Sequence, residues 1–210
     1  MIPGASIKGV VRSQVEALLR AVDEGWAGDP FERPESSAET DGNAALKAQE
    51  VRDQIERSAD EASRIFGRQS LASHVRFADA YPVDGVEIAV EVRDGVGIDR
   101  DLGRVSGARK YDYEVVAAGS RFAFELTMDG LEACQEGAVV AGLRLLDDGF
   151  ARLGGFKSRG LGRVRLVDLQ VSHLKGPMLE KSTEDWGAFH DARLGAFRDW
   201  VATHQQKGAS

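Results

Sequence analysis

Residues 1–13 read MIPGASIKGVVRS and predict a tight turn that continues directly into a helix. Apolar residues recur at helical spacing from Ile7 to Val22, and Gly25 follows as a stop signal. Ser6 is placed as a possible N-cap, with Lys8 beside it. Because a helix N-terminus offers free N–H groups and the positive end of a dipole, this segment is a candidate phosphate site. A simple cap and a solvated lysine would explain the same residues, so both interpretations remain open.

The hydrophobic content of 42% over 210 residues is enough for one sizeable core, and we expect a single domain over residues 1–210. The net charge of −7 argues against a nucleic-acid-binding protein, but the charge is unevenly distributed. Residues 29–66 contain ten acidic and five basic side chains, whereas residues 152–165 contain five basic and no acidic ones. Both the acidity and the basicity are therefore local.

The rest of the chain alternates between helical and strand-like spacing. Residues 27–62 form an acidic insert whose Pro-, Ser-, Glu- and Gly-rich first part predicts partial disorder. Glycines and charges over residues 93–110 predict a projecting, hairpin-like arm. Apolar spacing predicts further helices over residues 46–66, 131–152 and 183–204, and strands over residues 75–77, 86–92, 111–115, 122–126 and 163–172. This order favours an α+β fold, an antiparallel sheet with helices on one face.

Residues 153–166, LGGFKSRGLGRVRL, combine glycines with cations. Glycine lets the backbone approach a ligand closely and adopt positive φ, while Lys157 and Arg159 supply charge and Ser158 a hydroxyl. This combination suits a phosphate backbone. The segment is not a Walker loop, because it lacks GxxxxGK[ST] and runs into a predicted strand. A glycine-rich turn with solvated cations is the alternative, and composition does not decide between the two.

Other chemistry has little support in the sequence. Cys134 is the only cysteine, which excludes an internal disulfide and a multi-cysteine metal site, and the four histidines show no close pairing. There is no GxSxG elbow for a nucleophilic serine. We therefore expect no metal and no cofactor. With no run of about 18 apolar residues and no signal pattern, we expect a cytoplasmic protein without membrane contact.

Five ordered motifs resemble the RAMP superfamily, and within it the backbone subunits of type III CRISPR RNA-guided effector complexes. They read IPGASIKGVVRS, RIFG, HVRFADAYP, EVRDGVGIDRDLGRVSGARKYDYEVVAAGSRFAFEL and LGGFKSRGLGRVRL, and cover most of residues 2–172 outside the insert. The resemblance implies a ferredoxin-like (RRM-like) core and subunits that stack along a guide RNA in antiviral defence. The implied partners are guide RNA, target RNA, copies of the chain and other effector subunits.

The resemblance also implies roles for individual residues. It implies RNA contacts from the first helix and the glycine-rich loop, at Ser6, Lys8, Arg12, Gly155, Lys157, Ser158, Arg159 and Gly160. The arm over residues 93–110 would be the family's thumb, which crosses the guide–target duplex, with Val96, Ile98, Asp99 and Arg100 near its tip. Reading of the target sequence would then belong to the guide rather than to the protein.

In the family, a first strand and a loop with the target-cleaving aspartate precede the IPGASIKG-like turn, whereas this sequence starts at Met1. The expectation is therefore a chain without the usual first strand and with no catalytic residue of its own. The expected function is that of a guide-RNA-binding backbone subunit. Two alternatives stay open, namely a target-RNA-cleaving endoribonuclease whose N-terminal catalytic segment is missing from this sequence, and an assembly component that binds other proteins.

Overall fold

The computed structural model describes residues 1–29, 59–98, 101 and 105–208. The chain divides into two compact units. The larger comprises Gly4–Phe77 and Leu126–Ser210, and the smaller comprises Met1–Pro3 and Ala78–Glu125. The α-helices of the described residues all belong to the larger unit and are α1 (Gly4–Val22), α2 (Glu61–Phe66), α3 (Ala133–Asp147) and α4 (Trp186–Gly208).

Helix α1 buries one apolar stripe, as its sequence predicts. The stripe recurs every four residues, which places its members on one face of the helix, and consists of Ile7, Val11, Val15 and Leu19. The helix begins at Gly4, so Ser6 lies inside its first turn and the prediction that Ser6 is the N-cap is wrong. The fixed φ of Pro3, which directly precedes the helix, is compatible with this earlier start.

Helix α3 packs against both α1 and α4. Two glycines allow the helices to approach closely. A Cβ at Gly142 would lie 2.7 Å from Val15 Cγ2 in α1, and a Cβ at Gly137 would collide with the carbonyl oxygen of Arg193 in α4. The backbone of α3 therefore lies directly against its two neighbours.

Helix α2 is short and well defined at both ends. The Asp60 carboxylate accepts hydrogen bonds from the Ser63 N–H at 2.8 Å and from Ser63 Oγ at 2.7 Å. Gly67, at φ +79°, ends the helix as predicted. A side chain at Gly67 would lie 2.8 Å from the Leu71 carbonyl oxygen and from Ser73 N. The glycine of the RIFG motif is thus required by the turn that follows α2.

Residues 30–58 lie outside the described part of the chain, so the acidic insert predicted over residues 27–62 is described only at its two ends. These ends are neighbours in space. A Cβ at Gly28 would lie 3.4 Å from Asp60 Oδ2. The two described ends of the predicted insert therefore lie next to each other.

The strands form two-stranded antiparallel pairs. The larger unit holds the pairs β1 (Val75–Phe77) with β4 (Leu126–Met128) and β5 (Val171–Lys175) with β6 (Glu180–Glu184). The smaller unit holds the pair β2 (Val90–Ile98) with β3 (Val105–Val116). These pairings confirm the α+β class and the antiparallel arrangement. They do not by themselves form the continuous ferredoxin-like sheet, with helices on one face, that was expected.

The strand predicted over residues 163–172 begins only at Val171 and continues into a hairpin, β5–β6, that was not predicted. The reason lies at the end of α3. The Leu166 N–H donates to the Asp147 carboxylate at 2.7 Å instead of to a neighbouring strand. The strands predicted over residues 86–92 and 122–126 also begin later, as β2 and β4.

Candidate nucleic-acid interface

The first candidate segment is the N-terminal half of α1. Ser6 is exposed there, whereas Lys8 and Arg12 are half-buried. A spacing of four residues places Lys8 and Arg12 on one side of the helix, with Ser6 displaced from both around the helix axis. The structure thus brings the two cations together and places the hydroxyl elsewhere.

Arg12 connects α1 to the end of α2. Its Nη1 donates to the Gly67 carbonyl at 2.9 Å and its Nε to the Glu16 carboxylate at 2.6 Å. Its guanidinium carbon lies 6.0 Å from the centroid of the Phe66 ring. Arg12 is therefore partly neutralised and holds two helices together, and an RNA contact by Arg12 stays a prediction.

Lys8 lies in different surroundings. Its Nζ donates to Ser73 Oγ at 2.9 Å. Burial, and secondly the charge of Arg12, lower the pKa of Lys8. Burial means that the ammonium has lost water, and Arg12 means that it lies near a second positive charge. Because its hydrogen-bond partner among the described residues is a neutral hydroxyl, an arriving phosphate would find a cation that is not yet neutralised.

Gly9 is a functional candidate that the sequence analysis did not single out. It is exposed in the interior of α1, on the same side of the helix as Ser6 and Ser13. A Cβ at Gly9 would meet nothing within 4 Å among the described residues. Glycine costs about 0.5–1 kcal/mol relative to alanine in a helix interior, and these residues give no reason for that cost. The sequence feature that could have identified Gly9 is a glycine inside a helical pattern.

The second candidate segment is a loop with a closed neck. The Leu153 N–H donates to the Gly162 carbonyl at 2.9 Å, which joins the two ends of the loop. Gly162 has φ +80°, and a Cβ there would collide with the Leu153 carbonyl oxygen. Arg152 Nη1 donates to two carbonyl oxygens of the loop, those of Lys157 at 3.3 Å and Leu161 at 3.4 Å. The neck therefore requires glycine at position 162.

The tip of this loop carries the predicted phosphate ligands. Lys157–Arg159 form one 3-10 turn, and all three side chains, including that of Ser158, are exposed. Gly160 ends the turn at φ +91° and needs glycine for that reason. Gly155 is different, because its φ is not positive and a Cβ there would meet no atom of the described residues within 4 Å. Its missing side chain leaves bare backbone beside the cations, as close approach by a ligand requires.

Both candidate segments are mounted on the same pair of helices. Helix α1 packs against α3 where Gly142 meets Val11 and Val15. The glycine-rich loop begins shortly after α3 ends, and the Asp147 carboxylate holds the far side of the loop at Leu166 N. The α1–α3 contact therefore fixes one segment relative to the other.

The β2–β3 pair in the smaller unit corresponds to the predicted arm. Its side chains alternate between two unlike faces. One face carries Val96 and Ile98, which are 49% and 63% exposed, together with Val90, Val92 and Val116. On the other face Tyr111 lies across Gly95, where no Cβ intervenes, and its ring stacks with that of Tyr113 at 6.1 Å. The predicted tip residues Asp99 and Arg100 lie outside the described residues.

A family model described as the RAMP superfamily matches residues 1–165, which include α1, the β2–β3 pair and most of the glycine-rich loop. The chain belongs to the RAMP superfamily. A relative from Methanothermobacter thermautotrophicus, described as CRISPR system Cms endoribonuclease Csm3, is 26% identical over 210 residues. That match covers 93% of this chain and 80% of the relative. The family resemblance seen in the sequence motifs is therefore confirmed.

This RAMP protein brings five of its predicted RNA-binding residues together in two groups. Lys157, Ser158 and Arg159 share one exposed turn, and Lys8 and Arg12 share one side of α1. The RNA-binding and thumb roles of these residues remain proposals.

Two observations on the described part of this RAMP protein concern metal ligands and the cysteine. Among those residues, no group of three or more His, Cys, Asp and Glu side chains is placed to hold a metal ion. Burial, followed by the nearby Glu132 carboxylate, raises the pKa of the Cys134 thiol, which is the opposite of what a nucleophilic thiolate requires. Within the described ranges, no helix has the length and apolar character needed to cross a membrane.

Proposed function

We propose that this RAMP protein is a guide-RNA-binding backbone subunit of a type III CRISPR effector complex, in which copies of the chain stack along the guide RNA and position target RNA. Membership of the superfamily and likeness to a CRISPR-system endoribonuclease support the proposal. The observation that carries it is the tip of the glycine-rich loop, where Lys157, Ser158 and Arg159 are exposed side by side. A ferredoxin-like arrangement of the strands belongs to the same proposal.

The charge of this region supports contact with a phosphate backbone. Residues 152–165 carry five cations and no carboxylate, although the whole chain has a net charge of −7. Phosphate contacts by Lys and Arg supply most of the sequence-independent affinity for nucleic acids. A subunit that shares one long RNA with its neighbours needs a local basic surface, but it does not need a positive net charge over the whole chain.

The loop suits RNA of any sequence. A lysine, an arginine, a hydroxyl and bare backbone N–H groups contact phosphate and sugar oxygens, which carry no sequence information. A guide-dependent effector leaves the reading of the target to base pairing. In the proposed complex, Lys8 and Ser6 of α1 contribute further phosphate contacts, and Val96, Ile98, Asp99 and Arg100 belong to a thumb that meets the guide–target duplex.

The double variant Lys157→Ala, Arg159→Ala tests the proposal. The wild-type protein should copurify with RNA, visible as ultraviolet absorbance that survives moderate salt, and the double variant should lose it. After RNA is stripped, affinity for single-stranded RNA should fall about tenfold or more. The slope of log affinity against log salt should fall by about 1.4, from about 0.7 for each lost phosphate contact on a single strand.

The double variant Lys175→Ala, Lys181→Ala is the matched control. Both of these lysines are exposed on the β5–β6 hairpin, so the control removes the same net charge from a different surface. It should bind RNA as the wild type does. Equal RNA retention by all three proteins would refute the proposal, and equal losses in both double variants would reduce it to a general charge effect.

Gly9→Ala separates function from stability in α1. Because its Cβ would enter open space in a helix interior, the substitution should raise the free energy of unfolding by about 0.5–1 kcal/mol. If RNA approaches this face, its affinity should nevertheless fall severalfold. Thermal unfolding and fluorescence anisotropy with labelled RNA measure the two effects. A stabilised protein with unchanged affinity would exclude this face from the RNA interface.

Target-RNA cleavage is a second candidate, because the name of the relative describes an endoribonuclease. Incubating the RNA-loaded complex with labelled target RNA and a divalent cation tests it directly. Cleavage at regular intervals along the target would favour the enzyme, and intact target would favour a purely binding subunit.

A further inference from the structure

Phe156, between the bare backbone of Gly155 and the cations of the loop tip, has an unusual conformation. Its backbone lies in the left-handed region, with φ 51° and ψ 33°. Residues with a Cβ rarely adopt this region, and a bulky aromatic side chain there costs free energy. Such strain persists in a protein when something else selects the residue.

The side chain of Phe156 is only partly buried. It is 42% exposed although it is large and apolar, so burial recovers only part of what full burial of such a side chain would give. Phe156 directly precedes the 3-10 turn Lys157–Arg159. Glycine would serve this backbone position better than phenylalanine.

A cation lies over the Phe156 ring. The guanidinium carbon of Arg159 lies 5.0 Å from the centroid of the Phe156 ring. The backbone also joins the two residues, since the Arg159 N–H donates to the Phe156 carbonyl at 2.9 Å. A guanidinium over an aromatic ring is a favourable cation–π arrangement, and planar groups of both kinds stack on nucleobases. The turn therefore presents a preformed ring and guanidinium next to the proposed phosphate ligands.

We propose that Phe156, held by Arg159, is a stacking platform for one base of single-stranded RNA. The proposal rests on the RNA-binding function proposed above and adds a base contact to the phosphate contacts of Lys157 and Ser158. Every nucleobase has a π-face, so the contact tolerates any guide sequence. The stack would orient one base relative to the RNA phosphates that the loop contacts. The strain at Phe156 is then the cost of placing its ring at the tip of the loop.

Substitution at Phe156 should separate affinity from stability. Phe156→Gly relieves the left-handed strain, so its melting temperature should equal or exceed that of the wild type. Its affinity for a fluorescein-labelled oligouridylate should nevertheless fall about five- to 150-fold, the range expected for one lost base–aromatic stack. Phe156→Tyr keeps a stacking ring and should bind within about twofold of the wild type. Phe156→Asn, which tolerates the left-handed region, should lose affinity as the glycine variant does without making the loop as flexible.

Two further measurements distinguish stacking from a change in loop shape. The slope of log affinity against log salt should stay unchanged in Phe156→Gly, whereas Lys157→Ala lowers it by about 0.7. On an abasic version of the oligomer, the wild type and Phe156→Gly should bind equally. A loss of affinity in Phe156→Gly that persists on the abasic oligomer would overturn the stacking assignment.

The outcomes also separate this inference from the function on which it rests. If the wild type does not bind RNA, the proposed function fails. If RNA binding depends on Lys157 and Arg159 but the glycine and asparagine variants at Phe156 bind as the wild type does, only the stacking platform is refuted.

Discussion

Replacing Gly137 by alanine should lower the free energy of unfolding by about 3 kcal/mol, near the upper end of what overpacking a core costs. Gly137 is the point where α3 meets α4. The new Cβ would collide with the Arg193 carbonyl oxygen and would lie 2.8 Å from Phe197 Cβ. Backbone atoms of a helix cannot rotate away as a side chain can, so the two helices would have to separate.

The contacts around this crossing oppose such a separation. The Arg193 side chain forms an ion pair with Glu136 of α3, and its guanidinium carbon lies 4.7 Å from the centroid of the Phe189 ring. Moving α4 outward would therefore disturb an ion pair and a ring contact along with the helix packing. Denaturant unfolding followed by circular dichroism measures the effect.

Gly195→Ala is the matched control in α4. A Cβ at Gly195 would meet nothing within 4 Å among the described residues. The substitution should raise the free energy of unfolding by about 0.5–1 kcal/mol, the usual gain from glycine to alanine in a helix interior. Equal stability of the two variants would show that the α3–α4 crossing is looser than the structure indicates.

Replacing Gly162 by alanine should reduce RNA affinity about tenfold or more, comparable to losing several phosphate contacts. The new Cβ would collide with the Leu153 carbonyl oxygen, and φ +80° would be strained in any residue with a Cβ. The neck bond from Leu153 to Gly162 would open, and the tip turn would lose its fixed position. Because the tip is exposed, the melting temperature should change little compared with Gly137→Ala.

Gly154→Ala separates the collision from the backbone strain. Gly154 also has positive φ, at +80°, but a Cβ there would meet nothing within 4 Å among the described residues. This variant should lose less RNA affinity than Gly162→Ala. Limited trypsin digestion should cleave after Lys157 and Arg159 faster in Gly162→Ala than in Gly154→Ala. Wild-type affinity in Gly162→Ala would mean that the neck does not present the loop to RNA.

Local patterns predicted several features of the helices, whereas the helix predicted over residues 46–66 begins only at Glu61 within the described residues. The apolar spacing of α1 identified its buried stripe, and Gly67 was correctly expected to end α2. The glycine and charge pattern singled out Lys157, Ser158 and Arg159. These three residues lie close together in the structure because they are consecutive in one short turn. Motif order identified the superfamily, since five short motifs in sequence are far more specific than any one of them.

Features that depend on distant partners were not predictable from local pattern. Leu166 reads as part of a strand, but its N–H is taken by the Asp147 carboxylate at the end of another element. The role of Arg12 as a link between two helices depends on the Gly67 carbonyl, 55 residues away in the chain. Nor does the sequence reveal that Phe156 adopts positive φ, because phenylalanine has no preference for that region.

The unlike faces of the β2–β3 hairpin bear on how copies of the chain can associate. The register pairs Asp94 with Asp112 on the valine-rich face, and Glu114 lies on the same face. Among the described residues, Lys110, which forms an ion pair with Asp94, is the one cation on that face. Two copies joined by a twofold axis through this face would bring both sets of carboxylates together, which like-charge repulsion disfavours. A head-to-tail contact, in which the face meets a different surface, does not bring the two sets of carboxylates together, and repetition of such a contact builds an open assembly. The valine-rich face of the hairpin thus disfavours a twofold pair formed through that face, which fits the proposed stacking of copies along one guide RNA.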